Sequence, residues 1–163
     1  MFYVVVRLKI KQFLFFLLFT FILDAKEHRV IPLSKLFQTE LILKSKTFKI
    51  WLAIDPQQKS EGLSHLSSDT ISEKNGMLFI YPFAEKLSFW MKETQFDLDI
   101  AYIDSEGTIV DIFTMKKMQE QKFNSTKKVR YALELKAESF KKMGFKVGDT
   151  IVFSEIIKEL SKP

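Results

Sequence analysis

The stretch NGMLFIYPFAEKLSFWMKETQFDLDIAYID, residues 75–104, decides the fold of this chain. It contains three apolar segments, Met77–Tyr81, Leu87–Lys92 and Leu98–Ile103, which are separated by two short polar connections. Apolar segments of this length, rich in aromatic and β-branched residues and bounded by turn residues, are typical of β-strands. The stretch therefore predicts three consecutive strands.

Further strands are predicted on both sides of this stretch, at residues 47–54, 108–115, 129–135 and 150–155. In the first of them, Phe48, Ile50 and Leu52 alternate with other residues, which is the period of a strand with one buried face. Ser105-Glu106-Gly107 is typical of the tight turn of a hairpin. So many short strands with turn-rich connections indicate a mainly β, largely antiparallel fold.

Two short helices complete the predicted elements, which makes the fold class α+β. Asp55-Pro56 marks the start of the first helix, because aspartate is a preferred N-cap residue and proline fits the first helical position. We expect this helix to continue to about Leu66. The second helix is predicted at Ala137–Met143, where Gly144 supplies a common C-terminal cap.

Four parts of the sequence resemble one known family and occur in the order and spacing of that family. They are Glu61-Gly62-Leu63, Phe89-Trp90-Met91-Lys92 with the following Asp99 and Asp104, Tyr131-Ala132-Leu133-Glu134-Leu135, and Gly144-Phe145-Lys146-Val147-Gly148-Asp149. Through them, roughly the last two-thirds of the chain resembles the domain of unknown function 192 family, whose bacterial and archaeal members have no established biochemical activity. The resemblance implies a compact, barrel-like antiparallel sheet with small helices at its edges.

The N-terminus has the pattern of an export signal. The basic segment Arg7-Leu8-Lys9-Ile10-Lys11 precedes the uncharged run Phe13–Leu23, and the small residue Ala25 follows. We predict that residues 1–25 form an apolar leader helix, which is either a cleaved signal peptide or, through residues 3–23, a membrane anchor. The protein is then expected outside the cytoplasm, in the periplasm, secreted, or held on the inner membrane.

The rest of the chain is predicted to form one domain with short flanking segments. Residues 26–46 are predicted as a polar linker, with an edge strand at Thr39–Leu43 as the alternative. Residues 47–157 form the domain and residues 158–163 a tail. The sequence contains no cysteine, so core packing rather than disulfides must stabilise this domain.

Charge argues against nucleic acid as a partner. The whole chain carries a formal charge of +5, of which residues 1–25 contribute a net +2, leaving +3 for the remainder. This excess is too small for the electrostatic footprint of a nucleic-acid-binding domain. We therefore expect no nucleic-acid partner.

Residues that could carry catalysis are few. There is no cysteine nucleophile, and the two histidines, His28 and His65, are not accompanied by a nucleophile-elbow motif. His65 is expected to be a surface residue of the first helix. The five glycines do not form a phosphate-binding loop, and no histidine spacing is typical of a metal site. We expect no catalytic residue, no metal and no cofactor.

A ligand site is predicted around Trp90. In a strand, Trp90 and Lys92 point to one face, and Phe89 and Met91 to the other. An aromatic platform beside a cation and carboxylates suits a small polar ligand such as a carbohydrate. Asp99 and Glu134 match the family pattern and are expected to join Trp90 and Lys92 at one end of the sheet. The leading prediction is a non-catalytic, exported or membrane-anchored domain that binds such a ligand.

Two alternatives remain open from the sequence. One is a cell-envelope hydrolase that uses Asp99 and Glu134 as acid and base, as paired carboxylates do in glycoside hydrolysis. The other is a scaffold whose basic segment at residues 116–130 contacts a partner or an anionic membrane surface.

Overall fold

The computed structural model describes residues 29–162. Its strands are β1 (Gln38–Leu43), β2 (Lys46–Ala53), β3 (Asn75–Glu85), β4 (Ser88–Phe89), β5 (Leu98–Ile103), β6 (Ile109–Met115), β7 (Phe123–Asn124) and β8 (Val129–Lys136). Its helices are α1 (Pro56–Glu61), α2 (Ser139–Lys142) and α3 (Glu155–Leu160), and a 3-10 turn lies at Leu33–Lys35. The protein is therefore mainly β with a few short helices. The predicted leader at residues 1–25 lies outside the described residues.

In the described part of the chain, six strands form one mixed sheet in the order β1-β2-β3-β8-β5-β6, and β4 pairs separately with β7. All neighbours in the large sheet are antiparallel except β2 and β3, which are parallel. The sheet is thus largely antiparallel, as predicted, but it is mixed and does not form the predicted barrel: β1 and β6 are the edges of an open sheet. Residues 54–74 cross over from β2 to β3, and only such a long connection allows two successive strands to run in the same direction.

Apolar residues cover both faces of this sheet. One face, here called the helix face, packs Leu78, Leu133 and their neighbours against Phe140 of α2 and Ile157 of α3. The other, the cleft face, carries Met77, Phe79, Ala132, Ile100 and Tyr102, and packs against the connections that hold Leu63, Ile71, Leu87 and Met91. Because the central strands are buried on both faces, their sequences are almost continuously apolar.

Local signals placed several elements correctly. Asp55 caps α1 by accepting a hydrogen bond from the Gln58 backbone N–H at 2.8 Å, and Pro56 is the first helical residue. The helix ends at Glu61 rather than Leu66, because Gly62 takes a positive φ of 50°. The β5–β6 hairpin forms as predicted, with Gly107 at a φ of 87° in its turn.

The C-terminal segment differs from its prediction. The strand predicted at residues 150–155 is reduced to a single bridge between Thr108 and Thr150. Ile151 and Phe153 are buried and Val152 is exposed, so the segment has the alternation of a strand without a partner ladder. The predicted tail, residues 158–163, instead contains the second half of α3. Within residues 29–162, no helix is both long and apolar enough to cross a membrane.

Gly76 sets the close approach of β3 and β8, and we expect Gly76→Ala to lower the free energy of unfolding by about 2–3 kcal/mol. A Cβ at this position would lie 2.3 Å from the carbonyl oxygen of Glu134 and 2.6 Å from a methyl group of Leu135. Chemical denaturation measures the effect. Gly148→Ala, at a φ of 92° and with no atom within 4 Å of the added Cβ, measures backbone strain without a steric clash. A loss below about 0.5 kcal/mol in Gly76→Ala would show that β3 and β8 move apart at little cost.

Candidate functional site

A cleft of about 660 Å³ opens on the cleft face of the sheet. Its floor is formed by Phe79 and Tyr81 of β3 and by Glu134 of β8. One wall consists of α1 and the turn after it, residues 57–65, and the opposite wall consists of residues 88–94. The crossover between the two parallel strands therefore builds one side of the cleft.

Trp90 and Lys92 lie on the wall that follows β4. Met91 is buried, whereas Trp90 is 50% exposed and Lys92 is exposed. The strand predicted at Leu87–Lys92 is reduced to Ser88–Phe89, and Phe89 lines the cleft together with Trp90 and Lys92, so the predicted division of faces does not hold for Phe89. The Lys92 ammonium nitrogen lies 5.7 Å from the centroid of the Trp90 ring, within the range of a cation–π contact. The indole is thus available to a ligand, with a cation beside it.

Glu134 lies on the floor of the cleft. In the sheet it is placed between Met77 of β3 and Ile100 of β5, and its side chain is only 4% exposed. Among the described residues, no hydrogen-bond donor or cation pairs with its carboxyl group. Burial raises the pKa of Glu134 to about 8. A carboxyl group without a protein partner therefore faces the cleft and holds its proton at neutral pH.

Aromatic rings lie on the same face of the sheet as this carboxyl group. Phe79 and Phe89 meet edge to face at 4.7 Å between centroids, and Phe89 meets Tyr102 at 5.9 Å. The Tyr102 hydroxyl donates its hydrogen bond to the carbonyl of Phe123 at 2.6 Å, away from the cleft. Burial, together with the nearby Glu85 and Glu134, raises the pKa of Tyr81 to about 12. Both phenol groups therefore stay neutral at neutral pH. The Tyr102 hydroxyl proton is already donated to the Phe123 carbonyl.

A contact between a histidine and a carboxylate joins the two walls of the cleft. The imidazole of His65 lies 3.2 Å from the carboxylate of Glu93, and the His65 backbone N–H donates to the Glu93 carbonyl at 2.9 Å. Both residues have a positive φ, 56° for His65 and 60° for Glu93. Such backbone conformations are costly for residues other than glycine and are often found where a site is held in shape.

The segment at residues 29–31 closes one end of the cleft. The backbone N–H groups of Val30 and Ile31 both donate to the carboxylate of Glu61, the second at 3.0 Å. The Arg29 guanidinium donates to the carbonyl of Gly62 at 2.6 Å. Glu61 is thus engaged by the chain itself, and Val30 becomes a lining residue.

Asp99 does not join the other three predicted residues, and that part of the predicted site is wrong. It lies on the helix face, is 2% exposed, and accepts hydrogen bonds from the Thr114 hydroxyl at 2.7 Å and the Phe140 backbone N–H at 3.2 Å. It thereby holds the start of α2 against the sheet. Since Asp99 and Glu134 lie on opposite faces of the sheet, they cannot flank one substrate as acid and base.

The basic segment at residues 116–130 is partly tied to the rest of the domain. Lys116 pairs with Asp97 at 2.9 Å, and Thr126 is held by Asp111 through its backbone N–H at 2.7 Å. The segment also contains β7. These contacts fix its path over the surface and reduce the free positive charge that it offers.

The predicted site does not include several residues that line the cleft, among them Tyr81, His65 and Glu93. Tyr81 and Phe79 are two residues apart in β3 and point to the same face of the sheet, so the strand pattern alone indicates Tyr81 as a lining residue. His65 was expected on the surface of a helix, but it follows the helix and is only 18% exposed at its side chain. Its contact with Glu93 depends on two positive-φ residues, for which the sequence gives no signal. Among residues 29–162, no three histidine or carboxylate side chains are grouped to hold a metal.

Comparison with known proteins places this chain in a family. The model of the domain of unknown function 192 family, described as "Uncharacterized ACR", matches residues 39–153. A crystal structure of a proposed transcription regulator from Sinorhizobium meliloti 1021 is 32% identical, covering 71% of this chain and 91% of that protein, with a TM-score of 0.64.

A second structure is similar in fold alone. It is a protein of unknown function from Novosphingobium aromaticivorans DSM 12444, which is 21% identical, with a TM-score of 0.67 over 80% of this chain and 95% of that one. No curated protein is significantly similar to this sequence. The family match and the 32% identity nevertheless agree: this chain belongs to the domain of unknown function 192 family.

Proposed function

We propose that the protein is a non-catalytic domain that binds a small polar ligand of the carbohydrate class in the cleft between α1 and residues 88–94. One observation supports this most strongly. A half-exposed indole, Trp90, shares the cleft with a buried carboxyl group, Glu134, that has no partner among the described residues.

The chemistry of the walls matches such a ligand. Sugar rings stack their apolar C–H faces on aromatic side chains, and their hydroxyl groups bind charged and polar side chains. Trp90 supplies the ring, Lys92 a cation at the rim and Glu134 a polar group at the floor. The volume of about 660 Å³ lies within the range of small-molecule sites and accommodates one or two sugar rings.

We expect Trp90→Ala to remove sugar binding while lowering the free energy of unfolding by less than about 1.5 kcal/mol. Because the indole is 50% exposed, its removal leaves little cavity, whereas a fully buried aromatic residue costs about 3–5 kcal/mol. Calorimetric titration with a panel of monosaccharides and chemical denaturation measure the two effects. Phe83→Ala, an equally simple loss of an exposed ring outside the cleft, should leave binding unchanged. A stability loss of 3 kcal/mol or more for Trp90→Ala would assign the indole to the core.

The proposed location is outside the cytoplasm. The basic segment at residues 7–11 and the apolar run at residues 13–23 support export. Fractionation of cells that express the full chain should find the protein in the membrane or in the extracytoplasmic fraction. Replacing residues 13–23 with a polar sequence should retain it in the cytoplasm. Soluble, full-length protein in the cytoplasm of unaltered cells would contradict export.

A further inference from the structure

The carboxylates that line the cleft are not equivalent. Glu61 accepts backbone hydrogen bonds from the segment that includes Ile31, and Glu93 pairs with His65 at 3.2 Å. Glu134, in contrast, has no donor among the described residues, although it is the most deeply buried of the three. A buried acceptor without a donor is costly, so we expect its partner to come from outside the described part of the chain.

The two lysines that line the cleft contact aromatic rings. The Lys59 ammonium nitrogen lies 4.4 Å from the centroid of the Tyr81 ring, and that of Lys92 lies 5.7 Å from the Trp90 ring. Both ammonium groups therefore rest on aromatic faces, where the ring quadrupole attracts them. The floor of the cleft thus has an acid and aromatic rings but no cation of its own within the described part of the chain.

An acid in an aromatic environment favours a cationic partner. An ammonium group offers three donors and a full charge, and hydrogen bonds between charged groups are roughly twice as strong as neutral ones. A cation that approaches Glu134 also favours its ionised form, which reverses the effect of burial. A neutral hydroxyl group supplies only one ordinary hydrogen bond, and an anion finds no cation at the floor.

We propose that the ligand of the cleft is an amino sugar, whose free ammonium group pairs with Glu134 while its ring stacks on Trp90. This inference rests on the proposed function, since it names the class of carbohydrate that the same cleft binds. It assigns Glu134 as the residue that determines specificity and Trp90 as the residue that supplies most of the contact area.

Three sugars that differ only at the C2 substituent test this inference on the purified protein: D-glucosamine, N-acetyl-D-glucosamine and D-glucose. Titration calorimetry should find glucosamine at least about tenfold tighter than the other two, as expected for one charge-assisted pair. Glu134→Gln, which keeps the shape and an acceptor but removes the charge, should abolish this preference. Glu106→Gln, in the exposed β5–β6 turn, should retain it.

Different results would contradict the amino-sugar inference and the proposed carbohydrate binding. Equal affinity for glucosamine and glucose, or an unchanged preference in Glu134→Gln, would overturn the amino-sugar inference and leave the carbohydrate site in place. Absence of binding for all three sugars at millimolar concentration would overturn the inference and remove the support for a carbohydrate ligand. Circular dichroism of each variant confirms that the fold is retained.

Discussion

Raising the pH from about 4.5 to about 8 should lower the free energy of unfolding by roughly 4 kcal/mol through one residue, Glu134. In the unfolded chain this carboxyl group ionises near 4.5, whereas burial in the folded state keeps its proton until about 8. Between these values the folded state binds more protons than the unfolded state, so stability falls as the pH rises. Below pH 4.5 Glu134 is protonated in both states, so it adds no pH dependence to stability. Above about pH 8 it is ionised in both states, and stability falls no further.

The variant Glu134→Gln isolates this contribution. Its amide does not titrate, so the difference in unfolding free energy between the natural protein and the variant should change by the same roughly 4 kcal/mol across this pH range. Other carboxylates with a lowered pKa, such as Asp97, act in the opposite direction at lower pH, and they cancel in the comparison. Urea denaturation at half-unit steps of pH measures the curve. A pH-independent difference would show that the pKa of Glu134 is the same in the folded and unfolded states, and that burial does not raise it.

A ligand that pairs with Glu134 should reduce this pH dependence. If the ionised carboxylate is stabilised by an ammonium group, the folded state no longer retains the proton up to about 8. Stability measured with saturating glucosamine should then remain nearly constant between about pH 5.5 and 7, where the sugar amine keeps its proton. The same measurement thus connects the electrostatics of the empty cleft with the identity of its ligand.

The sequence predicts which residues of one strand share a face, but it does not predict the register between strands. This difference explains why Asp99 does not lie with Glu134 in the predicted site. Trp90 and Lys92 both line the cleft, but the strand ends at Phe89, so strand parity does not explain their placement. Asp99 and Glu134 come from β5 and β8, where the register pairs Asp99 with Leu135 and Ile100 with Glu134. A shift of one residue would have brought the two carboxylates to the same face.

Non-local contacts also explain the other differences. Turn and cap signals, as at Asp55 and Gly107, involve residues close in sequence and were read correctly. The parallel pairing of β2 with β3 depends on how the crossover at residues 54–74 packs, which no local pattern encodes. The segment at residues 150–155 has the alternation of a strand, but only the sheet decides whether a partner edge is available.

The boundary of the folded unit gives the second large effect. A chain of residues 47–157, the predicted domain, is expected to lose roughly 3–6 kcal/mol of stability and its cooperative unfolding. The boundary at residue 47 removes β1, whose Leu41 and Leu43 are 2% and 1% exposed in the core of the helix face. Each such side chain contributes about 1.5–3 kcal/mol through burial. The boundary at residue 157 also cuts α3 after the buried Ile157.

Comparison with a chain of residues 29–162 tests this expectation, because that chain keeps β1, α3 and the segment that closes the cleft. Thermal unfolding followed by near- and far-ultraviolet circular dichroism should be cooperative and coincident for the longer chain only. A typical domain has a net free energy of unfolding of only about 5–15 kcal/mol. A loss of this size therefore leaves the shorter chain marginally stable. Cooperative unfolding of residues 47–157 at nearly unchanged temperature would instead show that β1 covers a sheet already stable by itself, and that the hydrophobic contacts of Leu41 and Leu43 add little.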